Sequence, residues 1–221
     1  MMIRTATVAA ILVGGGLLCG TATAAPVYWT DWMSAATGTV SGTLDVGGTN
    51  VAVSFAGAYA FAITGAGTNY WNPATPYTSA TVDNAPPASD IVALNTGGTK
   101  TITFGQAVVD PLIALVSWNG NTVDFGTPIE ILSFGAGFWG NGTPVLNATG
   151  TGFFGSGEVH GVIKLPGTFT SIIFTDTSEN WHGLTVGVVG LAPPPPPVPE
   201  PATLALIGLS LFGIAVRRRR R

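Results

Sequence analysis

Between about residues 27 and 191 the chain alternates apolar and polar positions in short runs and sustains no helical period of useful length. Thr39-Val40-Ser41-Gly42-Thr43-Leu44-Asp45-Val46 is one run, Val51-Ala52-Val53-Ser54-Phe55 is the next, and Gly47-Gly48 lies between them. Two period-two runs joined through paired glycines predict a β-hairpin, because glycine enters positive-φ turn conformations without steric cost. Thr101-Ile102-Thr103-Phe104 and Leu184-Thr185-Val186-Gly187-Val188 carry the same period. Pro111-Leu112-Ile113-Ala114-Leu115-Val116 and Ser171-Ile172-Ile173-Phe174 are denser, and predict central strands buried on both faces. Residues 129–132 and 159–165 add further strands. The stretch 65–87 contains Asn72-Pro73, Pro76, Pro86 and Pro87, which predicts irregular backbone. Many short strands without intervening helices predict an all-β fold, a single jelly-roll-like β-sandwich spanning residues 25–192.

Composition changes this picture at the two ends. Hydrophobic residues make up 46% of the 221-residue chain and charged residues only 9%, with the excess apolar content concentrated in the terminal segments. Residues 1–24 read as a signal peptide. Arg4 supplies a positive start, residues 6–18 are mostly apolar, and Ala22-Thr23-Ala24 places small side chains at −3 and −1 of a signal-peptidase site. Cleavage after Ala24 leaves Ala25 and Pro26 at the new terminus. Three consecutive glycines, Gly14 to Gly16, weaken this segment as a lasting anchor helix, and Leu18 is too bulky to precede a lipid-modified Cys19. Cys19 is the only cysteine, so the expected mature domain contains neither a disulfide nor a reactive thiol.

At the other end, residues 193–198 form a proline-rich spacer, stiff and extended by the geometry of polyproline II. Residues 202–216 are uncharged; as a helix they span roughly 22 Å, short of a hydrocarbon core of about 30 Å. Arg217, Arg218, Arg219, Arg220 and Arg221 follow, a cluster that stays cytoplasmic by the positive-inside rule and leaves the β domain outside. A transmembrane helix with a basic stop is a stop-transfer element. Val198-Pro199-Glu200-Pro201, the Ala-Thr-Leu-Ala-Leu-Ile-Gly-Leu-Ser-Leu run and the arginines together resemble the PEP-CTERM sorting signal of Gram-negative bacteria. That resemblance implies recognition at Pro199, Glu200 and Pro201 by an exosortase-type transpeptidase, transient anchoring in the inner membrane, and delivery to the cell surface or extracellular matrix. Bacteria with this system commonly make exopolysaccharide, biofilm or floc. The middle of the chain also resembles a group of exported PEP-CTERM proteins, through residues 101–104, 111–118, Pro128-Ile129-Glu130-Ile131 and Glu179-Asn180-Trp181-His182-Gly183. That second resemblance assigns no chemistry.

Charge narrows the partners. Between residues 25 and 198 there are two lysines, Lys100 and Lys164, against ten acids, a net −8 with both histidines neutral. Such a surface repels a phosphate polyanion, which argues against nucleic acid. Asp176, Glu179 and Asn180 sit in the densest polar cluster, where they offer oxygen ligands to a structural Ca²⁺ or simply build a polar turn with Trp181 plugging the sandwich edge. His160 and His182, the only histidines, lack zinc-site spacing. Glu130 and Glu158 are the carboxylates a glycoside hydrolase would need to bring together. No nucleophile elbow or phosphate-binding glycine motif is present.

Among the aromatics Trp29, Trp32, Tyr59, Tyr70, Trp71, Tyr77, Trp118 and Trp139, the trio Tyr70, Trp71 and Tyr77 falls in the irregular stretch, where exposure would let the rings stack on sugars. Core filling is the competing reading. The chain therefore reads as an exported, non-enzymatic surface or matrix protein. A carbohydrate-binding module with coplanar exposed aromatics is the alternative. A hydrolase needs convergent carboxylates, and ice binding needs a flat, regular threonine array on one sheet.

Overall fold

A computed structural model describes Ala24 and residues 26–193. The leader up to Thr23, Ala25, most of the proline-rich spacer, the Pro199-Glu200-Pro201 motif, the 202–216 segment and the five arginines lie outside the described residues. The β domain belongs to a compact unit that ends at Leu191. Among the described residues no helix is long and apolar enough to cross a membrane.

Fifteen strands form two antiparallel sheets. One contains β1 (Tyr28–Trp29), β5 (Phe61–Ile63), β6 (Ile91–Leu94), β8 (Leu112–Trp118), β10 (Glu130–Phe134), β13 (Val159–Lys164) and β15 (His182–Val188), in the order β10-β13-β8-β15-β6-β5 with β1 also against β15. The other contains β2 (Asp31–Ala36), β3 (Thr39–Val46), β4 (Thr49–Ala56), β7 (Gly98–Val109), β9 (Thr122–Asp124), β11 (Gly142–Leu146), β12 (Gly152–Gly157) and β14 (Thr168–Asp176), in the order β11-β12-β9-β14-β7-β4-β3-β2. The predicted hairpin is β3–β4: Val46 pairs with Thr49, and Gly47 and Gly48 both take positive φ (59° and 89°). A two-residue turn with positive φ at both positions matches the twist of the flanking strands.

The two sheets share one core. Phe55, Ile102, Ile172 and Phe174 of the eight-stranded sheet pack in the same cluster as Ile113, Leu115, Ile163, Leu184 and Val186 of the seven-stranded sheet. A second cluster covers the opposite face of the seven-stranded sheet. There Leu112, Ala114 and Val116, the alternate residues of β8, meet Trp29, Trp71, Tyr77 and Val82. The irregular stretch is therefore a second layer over that sheet, with a 3₁₀ turn at Thr75–Tyr77 driving Tyr77 inward. Trp71 and Tyr77 pack edge to face, with ring centroids 5.2 Å apart.

This layering corrects two strand readings. β15 alternates apolar and polar in sequence, yet all seven of its residues are buried. Its small and polar positions are filled from outside: the Trp32 indole N–H donates to Thr185 Oγ1 (3.0 Å), and the Trp29 ring lies against Gly187 so closely that a Cβ there would overlap it. Conversely, the apolar run in β14 is buried on one face only. Ile173 is 57% exposed, because the outer face of the eight-stranded sheet is open where β14 crosses it.

Trp71 is 2% exposed and its removal opens a cavity over β8, so Trp71→Ala should cost about 3–5 kcal/mol of stability in chemical denaturation. Trp139→Ala, at a half-exposed surface ring, should stay within about 0.5 kcal/mol of the parent. Equal losses in the two variants would refute the layered arrangement.

Candidate functional site

One end of the seven-stranded sheet gathers most of the chemistry-bearing side chains. β8 ends at Trp118, β13 begins at Val159 opposite it, and β15 begins at His182 opposite Leu94, so three connections emerge together. Glu158 enters from the β12–β13 turn. Its Oε2 accepts the Ser117 hydroxyl (2.5 Å) and its Oε1 accepts the Asn119 amide Nδ2–H (2.7 Å). The Asn119 backbone N–H points to a second carboxylate, Glu179 Oε2, at 3.3 Å. One asparagine thus ties two half-buried carboxylates to the same rim.

Aromatic rings stand beside them. The turn closed by the Gly137–Gly140 bridge rests on Glu158, since a Cβ at Gly140 would lie 3.4 Å from its Cγ. Gly137 presses on the His160 ring so closely that any side chain there would overlap it. The turn carries Phe138 (39% exposed) and Trp139 (53% exposed). Trp139 lies 6.3 Å from Trp181 at an interplanar angle of 78°, and Tyr70 lies 5.0 Å from both Phe138 and Trp181. The rings form a corner of mutually upright walls, not a flat platform.

Beneath this rim runs a buried ionic chain. Lys100 Nζ, fully enclosed, donates to Asp176 Oδ1 (2.5 Å) and to the Thr96 carbonyl (2.6 Å). Asp176 Oδ2 meets His182 Nε2 at 3.0 Å, and His182 Nδ1 lies 3.2 Å from Glu179 Oε2, a Coulombic contact too oblique for a full hydrogen bond. Burial lowers the His182 pKa, but the hydrogen bond to Asp176 and the nearby charges of Asp176 and Glu179 outweigh it and hold the imidazole above its ordinary range. Trp118 packs on the same ring, with centroids 4.1 Å apart. Breaking such an enclosed pair leaves an uncompensated charge, whereas the exposed Lys164–Glu130 pair (2.7 Å) contributes about 0–1 kcal/mol.

These placements revise the residues singled out from sequence. Trp71 and Tyr77 (2% and 0% exposed) are covered, so neither presents a face to a ligand; the irregular stretch is stabilised by burying them. Tyr70 alone of that trio reaches the rim, half-buried among other rings. Of the oxygens expected to ligate Ca²⁺, Asp176 is already engaged by Lys100 and His182, Glu179 lies against His182, and Asn180 is exposed. Among the described residues no three His, Asp or Glu side chains are grouped to hold a metal. Glu130 and Glu158 lie toward opposite ends of β13, because Glu130 pairs with Lys164 and Glu158 precedes Val159. Six residues separate those positions, roughly 20 Å of strand, beyond the span of about 5–9.5 Å between glycosidase carboxylates.

The open face of the eight-stranded sheet carries a row of hydroxyls, Ser34-Ser41-Ser54-Thr103-Ser171, in register across five strands. The neighbouring row, Thr39-Ala56-Thr101-Ile173, breaks with apolar residues, so this face is not a regular threonine array. Asn119 and Phe138 were not distinguished by sequence. The signal that could have found Asn119 is a Trp-Asn-Gly-Asn turn just past the apolar run Leu112 to Val116.

Residues 197–221 match the family described as the PEP-CTERM protein-sorting motif. The chain thus carries an exosortase-recognised sorting signal, and it is an exported protein routed through a membrane toward the cell surface. No curated protein and no solved structure matches the chain.

Acid stability should report the rim's foundation. Burial pulls His160 down to about 4, while its Nδ1 is hydrogen-bonded to the Tyr77 hydroxyl (3.1 Å). The unfolded chain takes up this proton near 6.5 and the folded chain only near 4, so the stabilisation is present above 6.5 and is lost as pH falls between those values. Asp90, pushed up to about 6 chiefly by burial, has the opposite sign, and comparison with a variant at His160 cancels it. Thermal melts of His160→Gln should therefore fall less steeply between pH 6.5 and 4.5 than those of the parent; parallel slopes would contradict this assignment.

Proposed function

We propose that this chain is a non-enzymatic surface or matrix protein that ends up associated with exopolysaccharide, in biofilm or floc. The supporting observation is the sorting motif at residues 197–221. In this reading a signal peptidase removes residues 1–24, and the β domain folds outside the inner membrane. The 202–216 helix then holds it, with Arg217 to Arg221 locking the topology from the cytoplasmic side. An exosortase acts at or near Pro199-Glu200-Pro201 and releases the domain on its proline-rich spacer.

The domain itself reads as a jelly roll. Successive strands β6, β7, β8 and β9 alternate between the sheets, and β13, β14 and β15 return beside them, so that β15 lies between β6 and β8 while β14 lies between β7 and β9. This nesting is that of two Greek keys. A binding role is favoured over catalysis by the separation of Glu130 from Glu158 and by the upright aromatic walls at the rim.

Intact mass of the protein from cells with and without the exosortase tests the export scheme. The expected product in normal cells begins at Ala25 and has lost the arginine end; without the exosortase the arginine end persists. An unprocessed chain in both strains would overturn the scheme.

A further inference from the structure

We infer that the rim built from Glu158, Asn119, Glu179, Trp139, Phe138 and Trp181 binds an amino-sugar glycan, a chain of hexosamine units that carries free ammonium groups. The inference rests on the matrix reading above and adds the ligand class. Three features converge on that chemistry.

The first is exposed aromatic surface in a shape that suits one chain. Trp139 is half exposed and stands nearly upright to Trp181 (78°) and to Phe138 (75°). A pyranose ring has an apolar C–H face, which packs on an aromatic face. Upright rings turn their exposed faces in different directions, which suits a single flexible chain, whereas a crystalline glycan surface needs coplanar rings.

The second is the acceptor set. Glu158 and Glu179 can only accept hydrogen bonds when ionised, and Asn119 fixes both. Glu179 lies 3.2 Å from His182, but Glu158 has no lysine, arginine or histidine partner among the described residues. Its only donors are the neutral Ser117 hydroxyl and the Asn119 amide. A half-buried carboxylate with neutral donors and an open neighbour favours a cation supplied from outside, and aromatic faces favour that cation too.

The third is the field of the domain. One of its two lysines, Lys100, is enclosed, and the other, Lys164, is paired with Glu130 at the far end of β13. Ten acids against these two cations make the domain strongly negative. Uronate, sulfate or phosphate groups are repelled by this field, and a polycationic glycan is drawn to it.

The test uses mature protein recovered from the producing cells and follows tryptophan fluorescence at mildly acid pH, where glucosamine is charged. The probes are a glucosamine hexamer, its fully N-acetylated form, an alginate oligomer and tetramethylammonium. The glucosamine hexamer should bind at least about tenfold more tightly than the acetylated hexamer, the alginate or the small cation, with affinity falling as salt rises. Glu158→Gln and Trp139→Ala should each weaken it by about tenfold or more, with melting temperatures near the parent's. Equal binding of the acetylated hexamer, preference for alginate, tetramethylammonium binding as tight as the hexamer's, or unchanged affinity in both folded variants would overturn the inference. Fractionation of the same culture reads the broader proposal separately. Protein in the matrix without glucosamine binding rejects the ligand class alone, and protein absent from the matrix rejects the association itself.

Discussion

The seven-stranded sheet has to be covered twice. β8 is apolar from Leu112 to Val116 and buried along its whole length to Trp118, so each face of it carries a row of aliphatic side chains. Burying only one face would leave the other as a continuous hydrophobic patch and an invitation to aggregate. The eight-stranded sheet covers one side. Residues from the N-terminal arm and the irregular stretch cover the other, with Trp29, Trp71, Tyr77 and Val82 as the chief apolar contacts. The large rings are used there because loop backbone cannot interdigitate as a sheet does, and bulky side chains fill more space per residue ordered.

From that double coverage the rest of the molecule follows. The eight-stranded sheet is covered once, and its outer face carries a row of serine and threonine hydroxyls beside a row that mixes threonine with Ala56 and Ile173. The outer layer also supports the Gly137–Gly140 turn, because Tyr77 is bonded to His160 and that turn lies on the His160 ring. The exposed rings at the rim are consequently held by buried ones. Charge is organised by the same economy of burial: Lys100 can be enclosed because Asp176 meets it, and Asp176 in turn fixes His182 beneath the rim.

Strand existence was legible where local chemistry and tertiary setting agree. The Gly47-Gly48 hairpin and the wholly buried β8 are both written in residue order. Burial was misread wherever a neighbour far along the chain decides it. The alternation in β15 suggested one wet face, but Trp29 and Trp32 fill that face from more than 150 residues away. The Ile172-Ile173-Phe174 run suggested two dry faces, but no element packs over Ile173. For the same reason the prolines marked the irregular stretch correctly, while nothing local disclosed that its rings turn inward. The rim was legible only in pieces: Glu158, Glu179, Trp139 and Trp181 each stand out in sequence, but pairing of β8 with β13 and β15 is what brings them together.

The terminal segments and the β domain answer different physical demands. The motif at residues 197–221 marks the chain for export; the β domain has to bury the apolar faces of its sheets. Backbone hydrogen exchange on the mature protein tests the double coverage most directly. The amides of Tyr77, Ser79 and Val82, bonded within the outer layer, should open only together with the amides of β8. Exchange of those three at free-peptide rates while β8 stays protected would contradict the account.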